Sequence, residues 1–119
     1  MSNFLEDKNQ ISEILKIEQM ISHVVLFKLK EFETIEEKQM VINELKSKLM
    51  NLENLINELK FIEVGKNLTI DSPSFDLCLI THFNSIDDLE KYKVNPEHMK
   101  VFDFIKKVTV DRAAVDFKF

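Results

Sequence analysis

Two stretches of this chain are apolar on both alternations of an extended strand, and that limits the fold more than any other feature of it. Over residues 22–30, His23, Val25, Phe27 and Leu29 fall on one face, while Val24 and Leu26 fall on the other. Over residues 75–83, Leu77, Leu79 and Thr81 alternate with Cys78, Ile80 and His82. A strand with one wet face alternates cleanly between apolar and polar residues, so these two strands are expected to be covered on both sides.

Helical patterns lie between and after them. Thr34 and Glu37 have the spacing of a capping box, and Met40, Val41, Leu45 and Leu49 make an apolar stripe whose period blurs after Asn51. A second strand is expected over residues 59–64. It ends at Gly65, the only glycine, where a positive φ would cost little. Asp71-Ser72-Pro73-Ser74 marks a loop. Ser85 to Asp88 opens a short helix through Tyr92, and Asn95-Pro96 opens another that runs to about Val108 and buries Val101, Phe102 and Ile105. Residues 110–119 close the chain as a fourth strand. The order β-α-β-β-α-α-β is an α+β, ferredoxin-like split β-α-β with one four-stranded sheet and its helices on one face. Val24, Leu26, Cys78 and Ile80 would then lie on the bare face, and something must cover them.

Composition narrows the function classes. At 119 residues and 45% hydrophobic, the chain suits one compact domain. A net charge of −5 argues against nucleic acid or an anionic membrane as partner, because phosphate attraction needs a surplus of Lys and Arg on one face. Cys78 is the only cysteine, so no intrachain disulfide or cysteine-based zinc site can form. Its apolar neighbours make it a small buried hydrophobe. The three histidines are not at ligand spacing, so no metal is expected. No run approaches the ~20 apolar residues of a membrane span, and no basic patch followed by an apolar stretch suggests a secretion signal. A cytoplasmic protein is the expectation. Residues 1–19 stand apart from the domain at 20–119. Phe4, Ile11, Ile14, Leu15 and Ile17 recur at nearly helical spacing, which reads as an amphipathic helix packed on the domain or a partner, with a frayed tail as the alternative.

The residues able to do chemistry gather at one chain reversal. Asn95 as N-cap and Pro96 as first helical residue put His98 in the first turn of a helix, with Tyr92 closing the helix before it. His23 shares its strand face with Val25, Phe27 and Leu29 and should point between sheet and helices. The pocket expected there is apolar, with Val25, Phe27, Leu77, Leu79 and Phe83 in its wall and a few polar groups at its mouth. A helix N-terminus disfavours an imidazolium, which leaves His98 neutral near pH 7 as a base or acceptor. Each residue has a plainer role available: a first-turn histidine tidying a helix start, a strand histidine bonded to a carbonyl, a core tyrosine. His82, on the opposite strand face, suits interface packing.

The opening His-Val-Val-Leu-Phe-Lys of residues 23–28, the lone Gly65 after a short strand, Tyr92-x-x-x-Pro96-x-His98 and the closing Val115-Asp116-Phe117 together resemble the stress-responsive A/B barrel (Dabb) family, over about residues 20–119. The resemblance implies that two sheets pack face to face in a dimeric α/β barrel, so the partner is a second copy. Plant polyketide cyclases of that family use histidine and tyrosine to drive ring closure without a cofactor. By that likeness His98 is a base, Tyr92 a donor to a carbonyl, and His23 orients substrate or assists His98. Two classes of function follow. One is a homodimer that binds a small apolar or weakly anionic molecule without turnover. The other is a cofactor-independent cyclase or lyase. Heme or oxygen chemistry, known in related dimeric barrels, has no supporting pattern around the histidines.

Overall fold

The computed structural model describes residues 19–69 and 73–119. Its elements are β1 (Ile21–Leu29), α1 (Ile35–Leu55), β2 (Phe61–Lys66), β3 (Leu77–Phe83), α2 (Ile86–Val94), α3 (Pro96–Val108) and β4 (Thr109–Lys118). The strands form one sheet in the order β2-β3-β1-β4, with every neighbouring pair antiparallel. This is the split β-α-β arrangement read from the sequence. Apart from Gln19, the stretch read as a helix or tail lies outside the described residues, as do Asp71 and Ser72 of the expected loop.

Local chemistry explains where the elements begin and end. The Thr34 hydroxyl accepts from the Glu37 N–H at 3.1 Å, and Glu36 and Glu37 stand at the positive end of α1. The helix continues to Leu55 because its true stripe is Ile42, Leu45, Leu49 and Leu52, spaced three and four apart. Met40 lies five residues before Leu45, off that stripe, and is exposed rather than in the core. Leu59 is buried, but in the turn before β2 rather than in the strand. Gly65 does not end β2. It pairs with Cys78 inside the ladder, outside the left-handed region, and a Cβ there would meet nothing within 4 Å. Just before β3, Asp76 ties the strand to its surroundings: its N–H donates to the Phe27 carbonyl at 2.8 Å, and its carboxylate accepts from the Leu29 N–H at 2.7 Å and pairs with Lys38 at 2.9 Å. Burial works to raise the Asp76 pKa, but these two donors and Lys28 outweigh it and hold it below the usual carboxylate range.

The core lies between the sheet and the helices. Val25, Phe27, Leu77, Leu79 and Phe83 meet Leu45, Leu49, Leu89 and Ile105 there, all buried. Among the described residues no helix covers the other face. Val24, Leu26, Cys78 and Ile80 are half-buried on it, and Phe61, Val115, Phe117 and Phe119 are exposed. His82 sits on this face, stacked on Phe61 at 4.6 Å and tilted against Phe119 at 4.4 Å between ring centres. A bare sheet face with this many aromatic and aliphatic groups is not what a solitary protomer presents to water.

Candidate functional site

The register of β4 against β1 builds one wall of the site. His23 stands opposite Asp116 and Phe27 opposite Arg112, so Asp116 and Arg112 lie on the helix side of the sheet. The pairing slips at Leu29, which faces Thr109 and leaves Val110 as an extra residue, a bulge beside the cavity. On the other side of β1, the Thr81 hydroxyl donates to the His23 carbonyl at 3.1 Å. The His23 side chain is buried, and its Nδ1 bonds the Asp116 carboxylate. A carboxylate only accepts, so Nδ1 carries the proton and Nε2 is left as the ring's other pole.

The junction of α2 and α3 builds the opposite wall. Asn95 serves both helices: its N–H donates to the Tyr92 carbonyl at 3.2 Å, and its side chain accepts from the Glu97 N–H at 2.9 Å. Pro96 follows as the first residue of α3, and the fixed turn puts His98 next to Tyr92, ring centres 4.4 Å apart. His98 Nδ1 lies 3.0 Å from the Lys93 carbonyl. A carbonyl only accepts, so Nδ1–H donates to it and Nε2 is left as the acceptor. Burial pushes the His98 pKa below its ordinary value, and repulsion from His23, Arg112 and Lys93 adds to it; the bond to the Lys93 carbonyl pulls the other way and is outweighed.

Tyr92 is fully buried between Phe83 and His98, and its hydroxyl finds no hydrogen-bond partner among the described residues. A buried hydroxyl left unpaired costs about 1–3 kcal/mol. Burial also drives its pKa far above that of an ordinary phenol, so it keeps its proton at neutral pH and is available as a donor.

His23, Tyr92 and His98 line one cavity of about 280 Å³. Its floor is Val25, Phe27, Leu49, Leu79 and Ile105, all buried, and its rim is Lys93, Met99, Phe102 and Arg112. The structure thus brings His23, Tyr92, His98, Val25, Phe27 and Leu79 together. Leu77 and Phe83 share the sheet face and are buried, but do not line the cavity. Phe102, expected in the core, is half-buried and forms rim. Sequence reading missed Asp116, Arg112, Lys93 and Met99. Asp116 was in view only as part of the closing motif; its pairing with His23 needed the β1–β4 register. Among the described residues no group of three or more His, Cys, Asp or Glu side chains could hold a metal ion. No described helix is long and apolar enough to cross a membrane.

The sequence signature of the stress responsive A/B barrel domain, Dabb, matches residues 21–119. The chain belongs to the Dabb family. No curated protein matches it. Among solved structures, this Dabb domain is similar to a dimeric protein of unknown function with a ferredoxin-like fold from Bacteroides fragilis, at 33% identity and a TM-score of 0.75, covering 84% of this chain and 96% of that one. A dimeric ferredoxin-like protein of unknown function from Thermobifida fusca is 26% identical, with a TM-score of 0.69 over 85% of this chain and 92% of that one. A hydroxynitrile lyase from Passiflora edulis shares the fold at 16% identity, with a TM-score of 0.74 over 86% and 94% of the two chains.

Proposed function

We propose that this Dabb domain is a homodimer, joined through its bare sheet face, that binds a small and largely apolar molecule in the cavity between sheet and helices. The observation that carries the reading is the unpartnered Tyr92 hydroxyl, buried beside His98 at a cavity with an apolar floor. An empty hydrogen-bonding position in an otherwise closed core is where a ligand acceptor gains most, since the hydroxyl has no competing protein partner to give up. The apolar face of the sheet and the dimeric state described for the Bacteroides fragilis and Thermobifida fusca proteins support the dimer. An unpaired Cys78 suits a reducing compartment, and the cytoplasm is the setting we propose.

A second reading is favoured by one pairing: an acceptor nitrogen on His98 next to a donor hydroxyl on Tyr92. Set around a carbonyl compound, Tyr92 would donate to the carbonyl oxygen while His98 Nε2 takes the proton from the adjacent carbon, giving an enolate and an imidazolium that later returns the proton. His23, held by Asp116, would orient the substrate or assist His98. That is cyclase- or lyase-type chemistry with no cofactor. The passion-fruit lyase is a precedent for the scaffold, and fold alone assigns no reaction.

A methyl and amide NMR screen of small apolar acids, amides and ketones tests the binding reading. Shifts centred on Val25, Leu79, Tyr92 and His98 are expected, and binders whose shifts centre elsewhere would refute it. For the second reading, a bound ketone should exchange its α-protons in D₂O, and His98→Ala should slow that exchange by on the order of 100-fold. Binding without any exchange leaves the domain a binding module.

A further inference from the structure

The cavity's polar groups are unevenly signed, and that bears on which small molecules suit it. Among the described residues no carboxylate lines it, and Asp116, next to it through His23, is engaged by that histidine. Lys93 is shared between Glu90 at 3.4 Å and Asp116 at 4.0 Å. Arg112 is different: among the described residues it makes no ion pair, and its guanidinium lies 5.9 Å from the centre of the Phe102 ring at the rim. A chain with a net charge of −5 has therefore placed an unneutralised cation at the mouth of an apolar cavity.

We propose that the cavity selects a small apolar molecule bearing one carboxylate, and that Arg112 is the specificity-determining residue that holds that carboxylate at the rim. This rests on the ligand-binding reading above and adds the charge class and the residue. The planar guanidinium matches a carboxylate through two parallel N–H donors, and the Phe102 ring beneath it shields the pair from water on one side. Its position is built in, because the pairing of Arg112 with Phe27 follows from the β4 register beyond the Val110 bulge. A phosphate monoester carries about two charges at neutral pH; one unpaired cation suits a monoanion. Size agrees. A cavity of roughly 150 Å³ takes a benzene ring, so about 280 Å³ takes a ring with a short acid side chain. The ring would lie on Val25, Phe27 and Leu79, with the acid directed outward. The charge on Arg112 opposes protonation of His98, so a bound carboxylate relieves that opposition and His98 reports on it.

The test uses hydrocinnamate, its neutral amide and the corresponding primary amine, titrated into the full-length protein at low salt and followed by NMR. Hydrocinnamate should bind tighter than the amide by about tenfold or more, as expected for a charge-assisted pair, the amine should bind weakest, and the His98 pKa should rise with hydrocinnamate only. In Arg112→Gln, an exposed position without an ion pair among the described residues, the acid's advantage over the amide should fall to within about twofold. Equal binding of acid and amide by the wild type, or an advantage that survives in Arg112→Gln, overturns this inference and leaves the ligand reading standing. If none of the three moves the cavity signals, this inference falls, and the wider screen decides the ligand reading.

Discussion

Two side chains, Tyr92 and His98, set the character of the site, and each has a signature of its own. Because the Tyr92 hydroxyl is buried and unpartnered, removing it discards no protein hydrogen bond. Tyr92→Phe should leave stability unchanged or raise it by up to about 1 kcal/mol, while weakening binding of any carbonyl-bearing ligand. Urea unfolding of the variant checks this, and a loss of stability beyond about 1 kcal/mol would reveal a partner inside the fold. His98 predicts a pH dependence. Its pKa in the folded chain is lowered relative to the unfolded value near 6.5, so between the two values the unfolded chain binds more protons. Stability is then fully present above about pH 6.5 and declines as pH falls through the folded pKa. His82 is shifted the same way by burial, so His98→Asn should reduce, not abolish, the slope of urea midpoints between about pH 7.5 and 5. His23, Tyr92 and His98 were legible in the sequence because Asn95-Pro96 fixes a helix start and strand alternation fixes a face. Arg112 and Asp116 were not, because their place depends on how β4 pairs with β1, across more than eighty residues of chain.

At the scale of elements, the α2–α3 junction is the device that sets the site. Asn95 closes one helix with its N–H and opens the next with its side chain, so a single residue fixes the angle at which Tyr92 and His98 meet. Asn95→Ala should cost about 1 kcal/mol in stability from the lost cap, and it should also disturb the His98 ring signals, as Asn95 turns the chain between Lys93 and His98. A stability loss with His98 signals unmoved would show that the cap and the site are independent. The starts of α1, α2 and α3 were readable from capping residues, since Thr34, Ser85 and Asn95 each bond an N–H two or three residues on. Strand boundaries were harder. Leu59 is as buried as a strand residue yet sits in a turn, and Gly65 suggests a turn yet stays in the ladder. Apolar periodicity reports burial, and hydrogen-bond pairing decides what is a strand.

On the scale of the whole molecule, the bare sheet face decides the assembly. Ile80 is half-buried on that face in the single chain, with no helix above it among the described residues. A charge there should spare the protomer's own core and be intolerable in an interface between two such sheets. Ile80→Glu is expected to sediment as a folded monomer with cooperative unfolding, where the wild type sediments as a dimer at micromolar concentration. A wild type that sediments as a monomer would refute the dimer and leave the aromatic group of Phe61, His82, Phe117 and Phe119 to be covered otherwise. Both faces of the central strands were readable as apolar from alternation alone. What covers the second face was not, because a partner's surface is not written in the covered strand; the family resemblance supplied the dimer.

The central claim is that the cavity between sheet and helices is a ligand site organised around Tyr92 and His98. Crystals of the protein soaked with the small acids, amides and ketones of the NMR screen test it most directly. The account predicts density in the cavity bounded by His23, Tyr92 and His98, with an acceptor atom within hydrogen-bond reach of the Tyr92 hydroxyl. Ligands seated only elsewhere, with the Tyr92 hydroxyl bonded to a protein group and the cavity closed over it, would contradict the account.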